Sequence, residues 1–154
     1  MYKRQLFIAG EGEQREILDQ LVTNLNATHV IDMPGTVEDV EDLYCNANIF
    51  CLPSLWEGFP NALSEALAHG LPCVGFVDCD GVNALIKDGG NGLLAKNNET
   101  DEGHIISLMQ SLKTLMIDAD LRRKMGQNAI KTMEPYHPKA VFDRWEEIIE
   151  GIIK

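Results

Sequence analysis

No run in these 154 residues is apolar for long enough to cross a membrane, and no signal-peptide pattern opens the chain, so the expected location is the cytoplasm. Basic residues are scarce, 13 against 24 acidic ones, which leaves a formal charge of −11. Such a field repels nucleic-acid phosphates and anionic headgroups unless a local patch overrides it. The only basic clusters are Lys3-Arg4 and Arg122-Arg123-Lys124, and the second falls in a helical pattern as solvated charge. The four cysteines, Cys45, Cys51, Cys73 and Cys79, lack any Cys-x2-Cys spacing, and His29, His69, His104 and His137 are scattered, so no zinc site is expected. Cys51 and Cys73 lie inside apolar runs, where a reduced thiol simply packs, as it does in a reducing compartment. Repeats, low-complexity segments and linkers are also missing, and residues 1–154 read as one ordinary domain whose 45% apolar residues suffice for a single core.

What is present is organised around Pro53-Ser54-Leu55-Trp56-Glu57-Gly58-Phe59-Pro60-Asn61-Ala62-Leu63-Ser64-Glu65-Ala66. The run Asn48 to Leu52 before it is short, apolar and closed by Pro53, which reads as a strand buried on both faces of a parallel sheet. Pro60 is placed as the first helical residue, with a helix running from Asn61 to a closing Gly70. Ala62, Leu63, Ala66 and Leu67 share one face of that helix, while Asn61 and Glu65 lie on another, so the Glu65 carboxylate is held off the core. Glu57 falls in the loop at the carboxyl end of the strand, where open α/β sheets bind ligands, and the first amides of the helix point the same way. Two carboxylates beside an anion-binding helix start suit a ligand that carries both hydroxyls and phosphates. Ser54 and Glu57 also have the spacing of a capping box, but Gly58-Phe59-Pro60 interrupts any helix starting at Ser54.

The flanking sequence alternates strands with helices. Gln5 to Ala9 reads as a strand, Gly10-Glu11-Gly12 as a turn and Glu13 to Asn24 as a helix. Gly10-x-Gly12 is a weak dinucleotide fingerprint, because Arg15 stands where the third glycine belongs; two glycines for a tight turn is the better reading. His29 to Met33 is a second strand, followed by the turn Pro34-Gly35-Thr36-Val37 and an acidic helix from Glu38 to about Asn46. Leu71 to Val77 forms the fourth strand. Asp78 and Asp80 at its end read as turn and N-cap residues rather than magnesium ligands. A short helix Val82 to Lys87, a turn and a fifth strand Leu93 to Ala95 follow, and then helices alone: His104 to Ile117, Ala119 to Met133 and Pro138 to Ile153. Ile105, Leu108, Met109, Leu112 and Leu115-Met116 keep core spacing in the first of these, as do Leu121, Met125, Ala129 and Met133 in the second. The third carries an apolar stripe of Trp145, Ile148, Ile149 and Ile152. The expected fold is α/β, a doubly wound parallel sheet with C-terminal helices and a site at the carboxyl ends of the strands.

Glu57 and Glu65, set in Pro-Ser-x-x-Glu-Gly-Phe-Pro-Asn-Ala-Leu-x-Glu-Ala, resemble the signature of retaining glycosyltransferases of family four, which have the GT-B fold. Ile86, Gly89, Gly92, Leu93 and Leu94 fit the form that family takes after its fourth strand, and Gly10-x-Gly12 fits its first strand end. The resemblance covers roughly residues 5 to 150. It implies the Rossmann-like, nucleotide-sugar-binding half of a GT-B enzyme, truncated at its start, with the N-terminal acceptor domain and a diphosphate-binding Arg and Lys outside the chain. It further implies transfer of a hexosyl group with retention, in polysaccharide or glycolipid assembly, with Glu57 against the sugar, Glu65 on the ribose hydroxyls, and the amides of Gly58, Phe59, Pro60-Asn61, Ala62 and Leu63 fixing sugar and diphosphate. Gly35, Thr36 and Val37 would lie under the nucleotide base. The partners implied are the nucleotide-sugar donor and a sugar or lipid-linked acceptor, with no cofactor and no metal. Peripheral contact with the inner face of a membrane would fall to the absent domain, and the terminal helix would cross back toward it. Two alternatives stay open: a GT-B phosphorylase or epimerase, and a non-catalytic nucleotide-binding module of flavodoxin-like build.

Overall fold

The structure, a computed structural model, describes residues 5–96 and 100–153. The Lys3-Arg4 cluster lies outside them. Among the described residues the five strands and seven helices expected from the sequence occur in the expected order, joined by a 3-10 turn, Glu134–Tyr136, that no sequence pattern announced. The chain packs as two compact units, Met1–Asp42 and Leu43–Lys154. Their division falls inside a helix, where no change of composition marks it.

The first unit holds strand β1 (Leu6–Ala9), helix α1 (Arg15–Asn24), strand β2 (Ile31–Gly35) and the start of helix α2 (Val40–Asn46). β1 and β2 pair in parallel, Leu6 opposite Ile31 and Ala9 opposite Gly35, with a shift of register between Phe7 and Ala9. β2 therefore begins and ends two residues later than the expected His29 to Met33. Its start is delayed because the amides of Val30 and Ile31 both donate to the Ala27 carbonyl in a turn. Its end is extended because the Gly35 carbonyl accepts from the Gly10 amide at 2.7 Å. α2 begins at Val40 rather than Glu38, since the Asp39 carboxylate accepts from the Asp42 amide and so stands as its cap.

The second unit is built on strands β3 (Phe50–Leu52), β4 (Cys73–Phe76) and β5 (Gly92–Ala95), parallel and in that spatial order. Helices α3 (Asn61–Ala68) and α4 (Asp80–Leu85) connect them, and α5 (Asp101–Ile117), α6 (Ala119–Met133) and α7 (Pro138–Ile153) follow. The period of two in a strand divides the side chains cleanly. Phe50, Leu52, Cys73 and Leu94 join Leu63, Ala66, Leu67, Val82 and Leu85 of α3 and α4 in one core. Ile49, Cys51, Val74 and Leu93 join Leu108, Leu112 and Leu115 of α5 in the other. Helix α6 gives Ala129 to the first cluster and Met125 to the second. With helices on both faces of a parallel sheet, this is the doubly wound α/β arrangement.

Three details differ from the sequence reading. β4, not β3, is the strand buried on both faces, because β4 is central in its sheet whereas β3 is lateral and only half-buried. Ala62 is exposed although its wheel position suggested core, and Leu63, Ala66 and Leu67 alone carry the buried face of α3. In α5, Ile105, Met109 and Met116 are exposed, and only the Leu108–Leu112–Leu115 line packs. The stripe on α7 is uncovered among the described residues: Trp145 is 59% and Ile152 78% exposed. α3 ends as expected, Gly70 at φ 75° donating to the Leu67 carbonyl while the Leu71 amide reaches Ala66, a Schellman closure.

Candidate functional site

The loop of residues 53–60 leaves the carboxyl end of β3 without regular structure, which excludes a helix starting at Ser54 and with it the capping-box reading of Glu57. Pro60, at φ −79° and ψ 96°, is the N-cap of α3 rather than its first helical residue, and its carbonyl accepts the first intrahelical bond, from Ser64 at 3.1 Å. The amides of Asn61, Ala62 and Leu63 consequently have no partner within the helix and face out of its positive end. The Leu63 side chain is fully buried, so only its main chain is offered to a ligand. Gly58, Phe59, Asn61 and Ala62 are exposed, Pro60 is buried and Glu57 is half-buried.

Glu65, one turn into α3, is exposed to solvent and tied to α2. The Tyr44 hydroxyl donates to Glu65 Oε2 at 3.0 Å and stands 3.3 Å from the Ala62 carbonyl. The Tyr44 ring is buried, with the edge of Phe50 on one side and the His69 ring at 5.2 Å. Burial, and then the hydrogen bond and charge of Glu65, push the Tyr44 phenol up to about 12, so it stays a donor at neutral pH.

The Glu57 loop is held from the other side by α4. A Cβ built on Gly81 would stand 2.7 Å from the Glu57 carbonyl oxygen and closer still to that of Gly58. Only a glycine permits this approach. Phe59 leans on Tyr136 of the 3-10 turn with ring centroids 5.7 Å apart. Asp78 and Asp80 at the end of β4 are exposed, and Asp80 opens α4.

In the first unit, the sequence-predicted Gly10-x-Gly12 and Gly35-Thr36-Val37 turns come together through the bond from Gly10 to Gly35. Gly35 is buried as the last residue of β2, Thr36 is exposed and Val37 half-buried. Gly10, at φ 124°, adopts a conformation that other residues rarely reach. Arg15 fills the place of the fingerprint's third glycine: it donates to the Met33 carbonyl at 2.7 Å and pairs with Glu11 and Asp19, bracing the two turns. A small cleft there is lined by Ala9, Gly10, Glu11, Gly12, Arg15 and Met33.

Sequence reasoning missed Tyr44 and Gly81. Tyr44 lies 21 residues from its partner on a different helix, a separation no local pattern encodes. Gly81 carried a signal, the Asp-Cys-Asp-Gly end of a strand, but it reads equally as a turn.

Known proteins bear on this geometry. The family model described as glycosyl transferases group 1 matches residues 2–132. An uncharacterized glycosyltransferase of Haemophilus influenzae is 31% identical over 144 residues, covering 94% of this chain and 39% of the relative. An α-1,4-N-acetyl-D-galactosaminyltransferase of Campylobacter jejuni, named for an undecaprenol-linked acceptor, is 30% identical over 145 residues, 94% of this chain and 38% of that protein. The chain thus spans about two-fifths of the length of these relatives. Among solved structures, the pneumococcal O-GlcNAc transferase GtfA, crystallised with UDP and GlcNAc, superimposes with a TM-score of 0.86 at 24% identity, over 97% of this chain and 29% of that one. Anabaena HepE in complex with UDP superimposes with a TM-score of 0.79 at 19% identity, over 96% of this chain and 41% of that one. Both carry the same fold.

Proposed function

Because the chain belongs to the group 1 glycosyltransferases, we propose that it is the donor-binding domain of a retaining hexosyltransferase in polysaccharide or glycolipid assembly. The observation that carries this reading is the pairing of Glu57 and Glu65 across the start of α3, whose first three amides are free of helical partners. Glu65 accepts from the ribose hydroxyls. The free amides and the Gly58 main chain hold the diphosphate and sugar, an anion site that calls for no metal. Glu57 accepts from sugar hydroxyls and faces the positive charge that grows at the anomeric carbon. Gly35, Thr36 and Val37 lie under the base, and Gly10 and Gly12 shape the adjoining turn.

In the transfer, the bond from the anomeric carbon to the diphosphate oxygen breaks and one to an acceptor hydroxyl oxygen forms. The acceptor's proton passes to the leaving phosphate on a front-face route. On a double-displacement route the Glu57 carboxylate attacks the anomeric carbon and expels the nucleoside diphosphate, and the acceptor hydroxyl then displaces Glu57 as its proton passes to the departed diphosphate; both routes retain configuration, and trapping of a 2-fluoro-sugar on Glu57 separates them. The acceptor, a sugar or lipid-linked glycan, is held by a domain outside this chain, which also brings any peripheral contact with a membrane, and the protein works in the cytoplasm.

Calorimetric titration with uridine, guanosine and adenosine diphosphates and their sugars, with and without EDTA, tests the reading. UDP leads because relatives of the same fold are crystallised with it. One base should be preferred, the chelator should change nothing, and Glu65→Ala should weaken binding. A full-length protein that binds none of the three contradicts the reading.

A further inference from the structure

We propose that Tyr44 is a positioning residue for nucleotide recognition: its hydroxyl holds the Glu65 carboxylate in the one orientation that receives a vicinal diol. This rests on the assignment of Glu65 to the ribose and extends it to a residue on another helix.

An exposed glutamate on a helix has three rotatable side-chain bonds, and ordering it at the moment of binding costs free energy that a pre-ordered group does not lose again. Glu65 is exposed, and Tyr44 is the side chain that bonds it among the described residues. The bond at 3.0 Å falls on Oε2 alone. A carboxylate offers about four lone-pair positions on its two oxygens, so Oε1 and the outer side of Oε2 stay open to two neighbouring hydroxyls.

Tyr44 is itself fixed far more firmly than the group it holds. Its ring is 7% exposed and packs in the first core cluster with Leu63, Leu67 and Cys73. Phe50 meets it edge-on, and the neighbouring His69 is anchored through Nδ1 to the Glu65 carbonyl at 2.8 Å. The same hydroxyl reaches the Ala62 carbonyl in the first turn of α3, so the tyrosine registers the carboxylate against the helix start whose amides bind the diphosphate. Its raised pKa keeps the proton on the phenol throughout the range in which nucleotides are bound.

Tyr44→Phe keeps the ring, its burial and its aromatic neighbours and removes only the hydroxyl. On the full-length protein, dissociation constants are measured for a nucleoside diphosphate and for its 2′,3′-dideoxy counterpart, beginning with uridine and repeated with guanosine and adenosine if uridine does not bind. The wild type should prefer the diol by about tenfold, and Tyr44→Phe should weaken the ribonucleotide by about fivefold while leaving the dideoxy form unchanged. Glu65→Ala should abolish the preference altogether. Equal weakening of both ligands by Tyr44→Phe, or an undiminished preference, overturns the positioning role. If Glu65→Ala also keeps the preference, or the wild type has none, the ribose assignment itself falls and the role of Tyr44 with it.

Discussion

Gly81, in the first turn of α4, lies with its backbone against the carbonyl oxygens of Glu57 and Gly58. The loop that carries Glu57 is therefore seated on a second helix as well as on the strand that feeds it. Gly81→Ala places a methyl where those oxygens are, and backbone rather than a flexible side chain must yield. The chain should still fold, since the loop can move outward, but the displacement falls on Glu57. Turnover of the full-length enzyme should drop at least about tenfold, with a smaller change in affinity for the nucleoside diphosphate, as is usual for misplacement of a reacting group. Steady-state kinetics beside nucleotide titration checks this.

Asn91 is the one buried polar residue of the core among those described, 1% exposed. It accepts from the Lys87 amide at 2.7 Å and donates to the Leu85 carbonyl and the Thr132 hydroxyl, both at 3.0 Å. It thereby closes the turn between α4 and β5 and ties it to α6. Asn91→Leu leaves the Lys87 amide and Leu85 carbonyl without their partners, and denaturant unfolding should show a loss of about 2–4 kcal/mol. Asn91→Asp keeps the acceptor and removes only the donating side, at the added cost of a buried charge.

Burial also sets how the second unit responds to alkali. It pushes Cys51 up to about 11 and Cys73 higher still, while burial and Glu65 push Tyr44 up to about 12. Each group holds its proton more tightly folded than unfolded. Its contribution to stability is complete below the ordinary value, 9.0 for the thiols and 10.0 for the phenol, and is lost as pH rises through the folded value. The melting temperature should stay level to about pH 9 and then fall, and Tyr44→Phe should make the fall above about pH 10 shallower while the part due to the two thiols remains. A melting temperature that rises over this range would contradict the sign.

Most of the scaffold was legible in the sequence because apolar periodicity and Gly or Pro punctuation are local signals. The run Leu71 to Val77, and the closing Gly70, announced β4 and the end of α3 without any tertiary information. What stayed hidden was set by neighbours. Whether Asn48 to Leu52 or Leu71 to Val77 would be the doubly buried strand depended on sheet order, and the exposure of Ile105 and Met109 on which side of α5 meets the sheet. The division of the chain at Asp42 left no compositional trace. At the site, the spacing of Glu57 and Glu65 carried the family signature, yet the groups that hold them, Tyr44 and Gly81, come from other helices.

The proposed roles give the two carboxylates different tasks, and kinetics of the full-length protein separates them most directly. Glu57→Gln keeps the shape and removes the charge that faces the anomeric carbon, so kcat should fall about a hundredfold or more with little change in donor KM. Glu65→Ala removes contacts to the ribose made equally in ground and transition states, so donor KM should rise about tenfold with kcat nearly preserved. Equal effects of the two substitutions on both parameters would contradict the division of roles, and with it the placement of the sugar at Glu57 and the ribose at Glu65.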